Sequence, residues 1–209
     1  MVEDTQSTRS RILENCLRLF NESGPASVTT AEIARATGIN EGNLYYYFRK
    51  KADILVALFD RFEAELTRTA NAPQADESGD ADPGMEYLKT WFRLMWEWRF
   101  FYQDGAAIIR MAPELRARCV SLTERGQADI RRVLHGMVEK GILKADDTEI
   151  ERLVVNAWII SSYWLDYLHS RHNVDQFTPE HLDRGLAQVW SLFLPYIPAM
   201  PQESAGHTQ

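Results

Sequence analysis

Between Glu41 and Lys51 the chain reads EGNLYYYFRKK, gathering an amide, three consecutive phenols and three adjacent cations in one short stretch. The hydroxyls of Tyr45, Tyr46 and Tyr47 and the Asn43 amide can hydrogen-bond to phosphates or base edges, and Gly42 lets the backbone approach a groove closely. Arg49, Lys50 and Lys51 supply charge where a phosphate would lie. The chemistry implied is recognition of double-stranded DNA. Glu41 stands out as a negative charge in this set. It can accept from a cytosine amino group or stabilise the positive end of a helix, and an acid in a first turn is common for the second reason alone.

Positioning such a surface takes two short helices and a turn. Thr29 can cap the first, with Glu32 three residues later completing a capping box, and Ile33 and Ala34 fall on the inward face. Gly38 suits a left-handed helix stop, and Gly38-Ile39-Asn40 forms the turn. Asn40 can then cap a second helix over 41–48, whose Leu44 and Phe48, four apart, face the core. This is the layout of a helix-turn-helix. An amphipathic helix with an aromatic core explains Leu44 and Phe48 but not three phenols in a row.

The segment resembles the DNA-binding domain of the TetR family of bacterial regulators. That family's pattern of Thr, Ile-Ala, Gly, Leu-Tyr-x-x-Phe and Lys is matched by Thr29 or Thr30, Ile33-Ala34, Gly38, Leu44-Tyr45-Tyr46-Tyr47-Phe48 and Lys51. The likeness covers residues 8–60, including an upstream helix with Ile12, Leu13, Cys16, Leu17 and Phe20 on one face. It implies backbone or base contacts from Thr30, Ala31, Glu41, Gly42, Asn43, Tyr45, Tyr47 and Lys51. Tyr46, Arg49 and Lys50 join the expected DNA-binding set by their chemistry and position.

With 209 residues, 45% hydrophobic and 25% charged, the chain is long enough to bury a sizeable core. Its net charge of −7 is unevenly spread: residues 5–51 carry +3 and the remainder −10. A basic head on an acidic body limits non-specific DNA contact. Two cysteines, Cys16 and Cys119, fit a reduced cytoplasmic setting better than a disulfide scaffold. The N-terminus lacks an apolar signal core, and no apolar run approaches the ~20 residues of a membrane span.

The expected fold class is all-α. It comprises a helix-turn-helix domain at 5–51, a connecting helix at 52–70, a loop at 71–84, a helical effector-binding and dimerisation domain at 85–196, and a disordered tail at 197–209. Ile54, Leu55, Leu58, Phe59, Phe62 and Leu66 mark the connecting helix, the natural lever between head and body. A helix expected over 85–103 carries two apolar stripes, Met85-Leu88-Phe92-Met95-Tyr102 and Tyr87-Trp91-Leu94-Trp98-Phe101. Such a helix is buried or lines a cavity. Trp91, Met95, Trp98, Tyr102 and Trp158 are therefore the candidate effector-binding residues, with a filled aromatic core as the alternative. Stripes over 150–168 and 182–194 suit a four-helix subunit interface, with candidates Ser161, Leu165, Trp190 and Phe193, or else intrasubunit core.

Asp166, His169 and His172 step by three, but no second acid or cysteine cluster completes a metal shell, so no metal is expected. Phosphate-binding glycine loops, GxSxG, HExxH and paired CxxC are missing, so neither catalysis nor a cofactor is expected. The resemblance implies a dimeric repressor that binds a palindromic operator and is released by a small, largely apolar or aromatic effector. The alternative is an effector-independent DNA-binding or adaptor protein whose body only dimerises or meets a protein partner.

Overall fold

A computed structural model of the chain describes residues 2–71, 83–174 and 178–198. The helices run α1 (Val2–Ser27), α2 (Thr30–Thr37), α3 (Glu41–Tyr47), α4 (Lys51–Asn71), α5 (Pro83–Glu97), α6 (Arg99–Gln103), α7 (Gly105–Met111), α8 (Leu115–Glu139), α9 (Asp147–His172) and α10 (Pro179–Ser191), followed by a 3-10 turn, Leu194–Tyr196. No strand occurs among the described residues. Of the loop expected at 71–84, positions 72–82 lie outside the described residues, as do 199–209 of the expected tail.

Helix α1 buries Ile12, Leu13, Cys16 and Phe20 completely. Near its end Gly24 turns to φ 72°, and Pro25 follows. A glycine reaches that backbone conformation without steric penalty. The turn also brings the backbone against Asp104: a Cβ on Gly24 would sit 2.9 Å from Asp104 Oδ2. Gly24→Ala is therefore expected to destabilise the protein by at least about 1 kcal/mol. A thermal melt checks this, and an unchanged midpoint would remove the kink from the account of the fold.

The single helix expected over 85–103 is instead broken. Trp98 adopts φ −112°, ψ 29°, so α5 ends at Glu97 and α6 begins at Arg99. The break is satisfied from outside: Asn21 of α1 donates from Nδ2 to the Glu97 carbonyl at 2.8 Å and accepts the Phe100 N–H on Oδ1 at 3.1 Å. Trp98 itself is buried, and its indole N–H donates to Glu65 of α4 at 2.7 Å. Apolar periodicity runs straight through the site because the stabilising amide lies far away in sequence.

Two buried clusters result. One begins in α1–α4 and continues without interruption into Leu94, Trp98, Phe100, Ile108, Ala112 and Leu115. The other joins α5, α8, α9 and α10 around Phe92, Leu134, Val154, Leu165 and Val189. Close approach within the second is made possible by Gly185 of α10, where a Cβ would meet Trp164 at 2.6 Å and Phe92 at 2.7 Å. Helix α9 starts in a capping box, Asp146 with Glu149, and stops at Asn173 in the left-handed region.

Helix α4 is gripped on two sides near its middle. Arg61 donates to Ser10 of α1 at 3.1 Å. On the other side Glu63 accepts from Arg118 and, at 2.7 Å, from Arg125, both on α8, while Arg118 also reaches Asp60 at 2.8 Å. Burial pushes the Glu63 carboxyl up, but hydrogen bonds and charge from Arg118 and Arg125 outweigh this and leave it below its usual range.

Candidate nucleic-acid interface and body cavities

The reading head is held by local hydrogen bonds. Thr29 accepts the Glu32 N–H at 3.2 Å, and Glu32 accepts the Thr29 N–H at 2.8 Å, closing the capping box. Gly38 takes φ 73° and ends α2. Asn40 Oδ1 accepts the Asn43 N–H at 2.8 Å and starts α3. Leu44 and Phe48 are buried, which fixes the face of α3 that turns inward. Ala31, Glu41, Gly42, Asn43, Tyr45, Tyr46, Arg49 and Lys50 are exposed, Tyr46 at 78% and Tyr45 at 48%.

Tyr47 is half-buried against the core, its ring edge-on to Tyr46 at 5.2 Å. The half-buried Thr30 hydroxyl donates to Glu41 at 3.1 Å and lies 3.4 Å from the Tyr45 hydroxyl. Glu41 thus links the start of α3 to the start of α2, a pairing eleven residues apart that capping rules do not anticipate. Lys51 is also engaged within the chain: its Nζ donates to the Val28 carbonyl at 2.8 Å and the Ala26 carbonyl at 3.4 Å. Its pKa is lowered by burial, against the opposing charge of Glu32.

The five residues nominated for effector binding do not form one site. Trp91 and Trp158 do meet, ring centroids 5.7 Å apart, and both line a small apolar chamber with Leu88, Ile130 and Met137. Trp98 packs instead against Phe62 and Phe101, and Tyr102 lies against Phe62, on the side shared with α4. Burial raises the Tyr102 phenol well above its ordinary range. Met95 is buried. The chamber is close to filled, with about 30 Å³ of space. Beyond Trp91, between α4 and α8, opens a larger cleft of about 300 Å³ bordered by Leu66, Leu122, Arg125 and Arg132.

The residues nominated for a subunit interface turn inward. Ser161, Leu165 and Phe193 are buried and Trp190 is half-buried; Ser161, Trp190 and Phe193 line the apolar chamber. The outward face of α9 instead carries Val155, Ile159, Tyr163 and Tyr167, each between 44% and 63% exposed. These step by four beside the buried stripe, and the signal was present in the sequence: a helix apolar on two sides needs two partners. His172 meets the Tyr167 hydroxyl at 2.7 Å and His169 the Val174 carbonyl at 3.3 Å. Among the described residues no group of three His, Cys, Asp or Glu could hold a metal ion, and no helix is long and apolar enough to cross a membrane.

Comparison with known proteins agrees with this geometry. A family described as bacterial regulatory proteins, tetR family, matches residues 12–58, and one described as TetR, bacterial transcriptional repressor, matches residues 61–204. The crystal structure of a TetR-family transcriptional regulator from Marinobacter aquaeolei VT8 is similar at a TM-score of 0.78, with 30% identity and 91% of each chain covered. The HTH-type transcriptional regulator AcrR of Shigella flexneri is 33% identical over 78 residues, 37% of this chain and 36% of that protein. The nucleoid occlusion factor SlmA of Haemophilus ducreyi is 31% identical over 112 residues, 46% of this chain and 55% of that protein. The matched stretch therefore spans between about a third and about half of those curated relatives. A capped reading head followed by a helical body, each matched in its own right, places this chain in the TetR family of bacterial DNA-binding transcriptional regulators.

Proposed function

We propose that the protein is a repressor that binds a palindromic operator as a homodimer and leaves it when a small, largely apolar or aromatic molecule occupies the body. The observation that carries the reading is the exposed face of α3, where Glu41, Asn43, Tyr45 and Tyr46 stand clear of a core that buries Leu44 and Phe48. One short helix contacts too few bases for specificity, so two heads must read half-sites roughly 34–36 Å apart. The outward stripe Val155-Ile159-Tyr163-Tyr167 offers the surface that pairs them. Release then requires that effector bind the DNA-incompetent spacing more tightly, and operator weakens effector by the same factor.

Anisotropy titration on DNA flanking the protein's own gene, at physiological salt against scrambled competitor, tests this. Specific binding with two subunits per site is expected. Binding no tighter than to scrambled DNA counts against it. Within that assay Asn43→Ala should cost ~1–3 kcal/mol at one base pair, whereas equal losses on every sequence would make Asn43 a phosphate contact. Lys51 already donates to two carbonyls and is proposed to offer its remaining N–H to a phosphate. Lys51→Ala should weaken all DNA evenly and reduce the salt slope by about one.

A second reading, an effector-independent DNA binder or adaptor, is favoured by the nearly filled apolar chamber. Operator affinity that no small molecule alters would support it.

A further inference from the structure

The cleft between α4 and α8 has a different chemical character from the apolar chamber behind it, and the difference specifies a ligand. Its apolar lining comes from Leu66, Trp91 and Leu122, with Gly126, which has no side chain, also on the wall. A Cβ on Gly126 would lie 2.2 Å from the Trp158 ring, so the absence of a side chain there is what lets Trp158 pack this closely against α8. Its volume of about 300 Å³ suits a small organic molecule.

The rim carries two acids and two cations, and their hydrogen-bonding states differ. Glu63 accepts on both oxygens, from Arg118 and Arg125, and Asp129 accepts from Arg132. Both acids are largely covered, at 22% and 29% side-chain exposure. Arg125 and Arg132 are 57% and 67% exposed, and each gives one of its N–H groups to its acid among the described residues. A guanidinium has five N–H donors. Asp129 keeps one oxygen without a partner among the described residues, but the two guanidiniums are the more exposed groups and hold more unused hydrogen-bonding atoms, so the larger spare capacity is donor capacity, beside an apolar lining.

From this arrangement we infer that the cleft binds an organic anion: an apolar or aromatic body on Trp91, Leu66 and Leu122, with a carboxylate or comparable acidic group on Arg125 and Arg132. The inference rests on the repressor reading and names the class of its effector. It also supplies the coupling. Arg125 and Arg118 are the two grips of α8 on Glu63 of α4, the helix that continues directly from the reading head. An anion that draws Arg125 away leaves Glu63 paired with Arg118, so no partly buried carboxylate is stranded. It nonetheless removes one of the two arginines that tie α8 to the lever.

Three naphthalenes of similar shape test the proposal by quenching of tryptophan emission: 2-naphthoate, neutral 2-naphthamide and cationic trimethyl(2-naphthyl)ammonium. The carboxylate should bind at least about tenfold more tightly than either of the others, the effect of one charge-assisted hydrogen bond. Replacing Arg125→Gln and Arg132→Gln together should bring that ratio below about twofold, while Arg110→Gln, on α7 outside the cleft, should leave it intact. In the wild type 2-naphthoate should also weaken operator binding, and in the double variant it should not. Equal or tighter binding of the amide or the cation, no measurable binding of any probe, or a preference that survives the double variant would overturn the proposal. Operator titration without probe separates the two failures. Specific operator binding beside an indifferent cleft removes the anion and leaves the repressor, whereas absent operator specificity removes the repressor and leaves the naphthoate ratio to judge the cleft.

Discussion

Ile159→Asp combined with Tyr163→Asp will leave a folded monomer whose operator affinity is at least about a hundredfold weaker than that of the wild type. Both side chains lie outside the buried clusters, at 50% and 63% exposure, so the charges stay out of the protomer's core. Exposed substitutions of this kind usually stay within about 0.5 kcal/mol of neutral for folding. At a two-fold interface each change appears twice, placing four carboxylates in one apolar seam. The DNA term follows from linkage: the second head of a dimer binds as an intramolecular partner, and removing that advantage loses roughly 10²–10⁴ in affinity. Sedimentation velocity gives the oligomeric state and anisotropy the affinity. A double variant that remains dimeric would move the interface off this face of α9, and one that is monomeric yet binds operator normally would remove the need for two heads.

The head was legible because its determinants are local. A cap and its reciprocal acid lie three residues apart, as Thr29 and Glu32 do, and Gly38 announces the left-handed stop by its residue type alone. Leu44 and Phe48 declare the buried face by their spacing of four. The body follows other rules. Periodicity identifies apolar faces without saying which neighbour each one meets, so it leaves Ser161, Leu165 and Phe193 between subunit interface and intrasubunit core, and within the protomer they are buried. The stripe with the better claim to a partner, Val155 to Tyr167, hides in the same helix because α9 is apolar on both sides. Long-range hydrogen bonds are invisible at that level. Neither the Glu41–Thr30 link nor the Asn21 amide that bridges the α5–α6 break leaves a pattern in its own segment. The cleft depends on such a relation too, since Arg125 and Glu63 are brought together only when α8 packs on α4.

That break has the largest expected consequence for stability. Phe100 is fully buried at the start of α6, edge-on to Phe20 of α1 at 5.6 Å and 4.1 Å from the Phe101 ring. Phe100→Ala removes the aromatic wedge between head and body and should destabilise the protein by about 3–5 kcal/mol, the range for buried phenylalanine truncation. For a chain of this size that lowers the melting temperature by roughly 10 °C. The manner of the change is as informative as its size. The buried cluster that begins at Ile12 runs on to Leu115, so the reading head and the first helices of the body should unfold together. All six tryptophans lie at or beyond Trp91, so tryptophan emission reports the body and, through Trp98, its contact with α4, while circular dichroism reports every helix. In the wild type the two signals should trace one transition, and Phe100→Ala should shift both by the same amount. If emission stayed fixed while the dichroism moved, the head would be melting by itself. The continuous core would then carry no cooperativity between head and body.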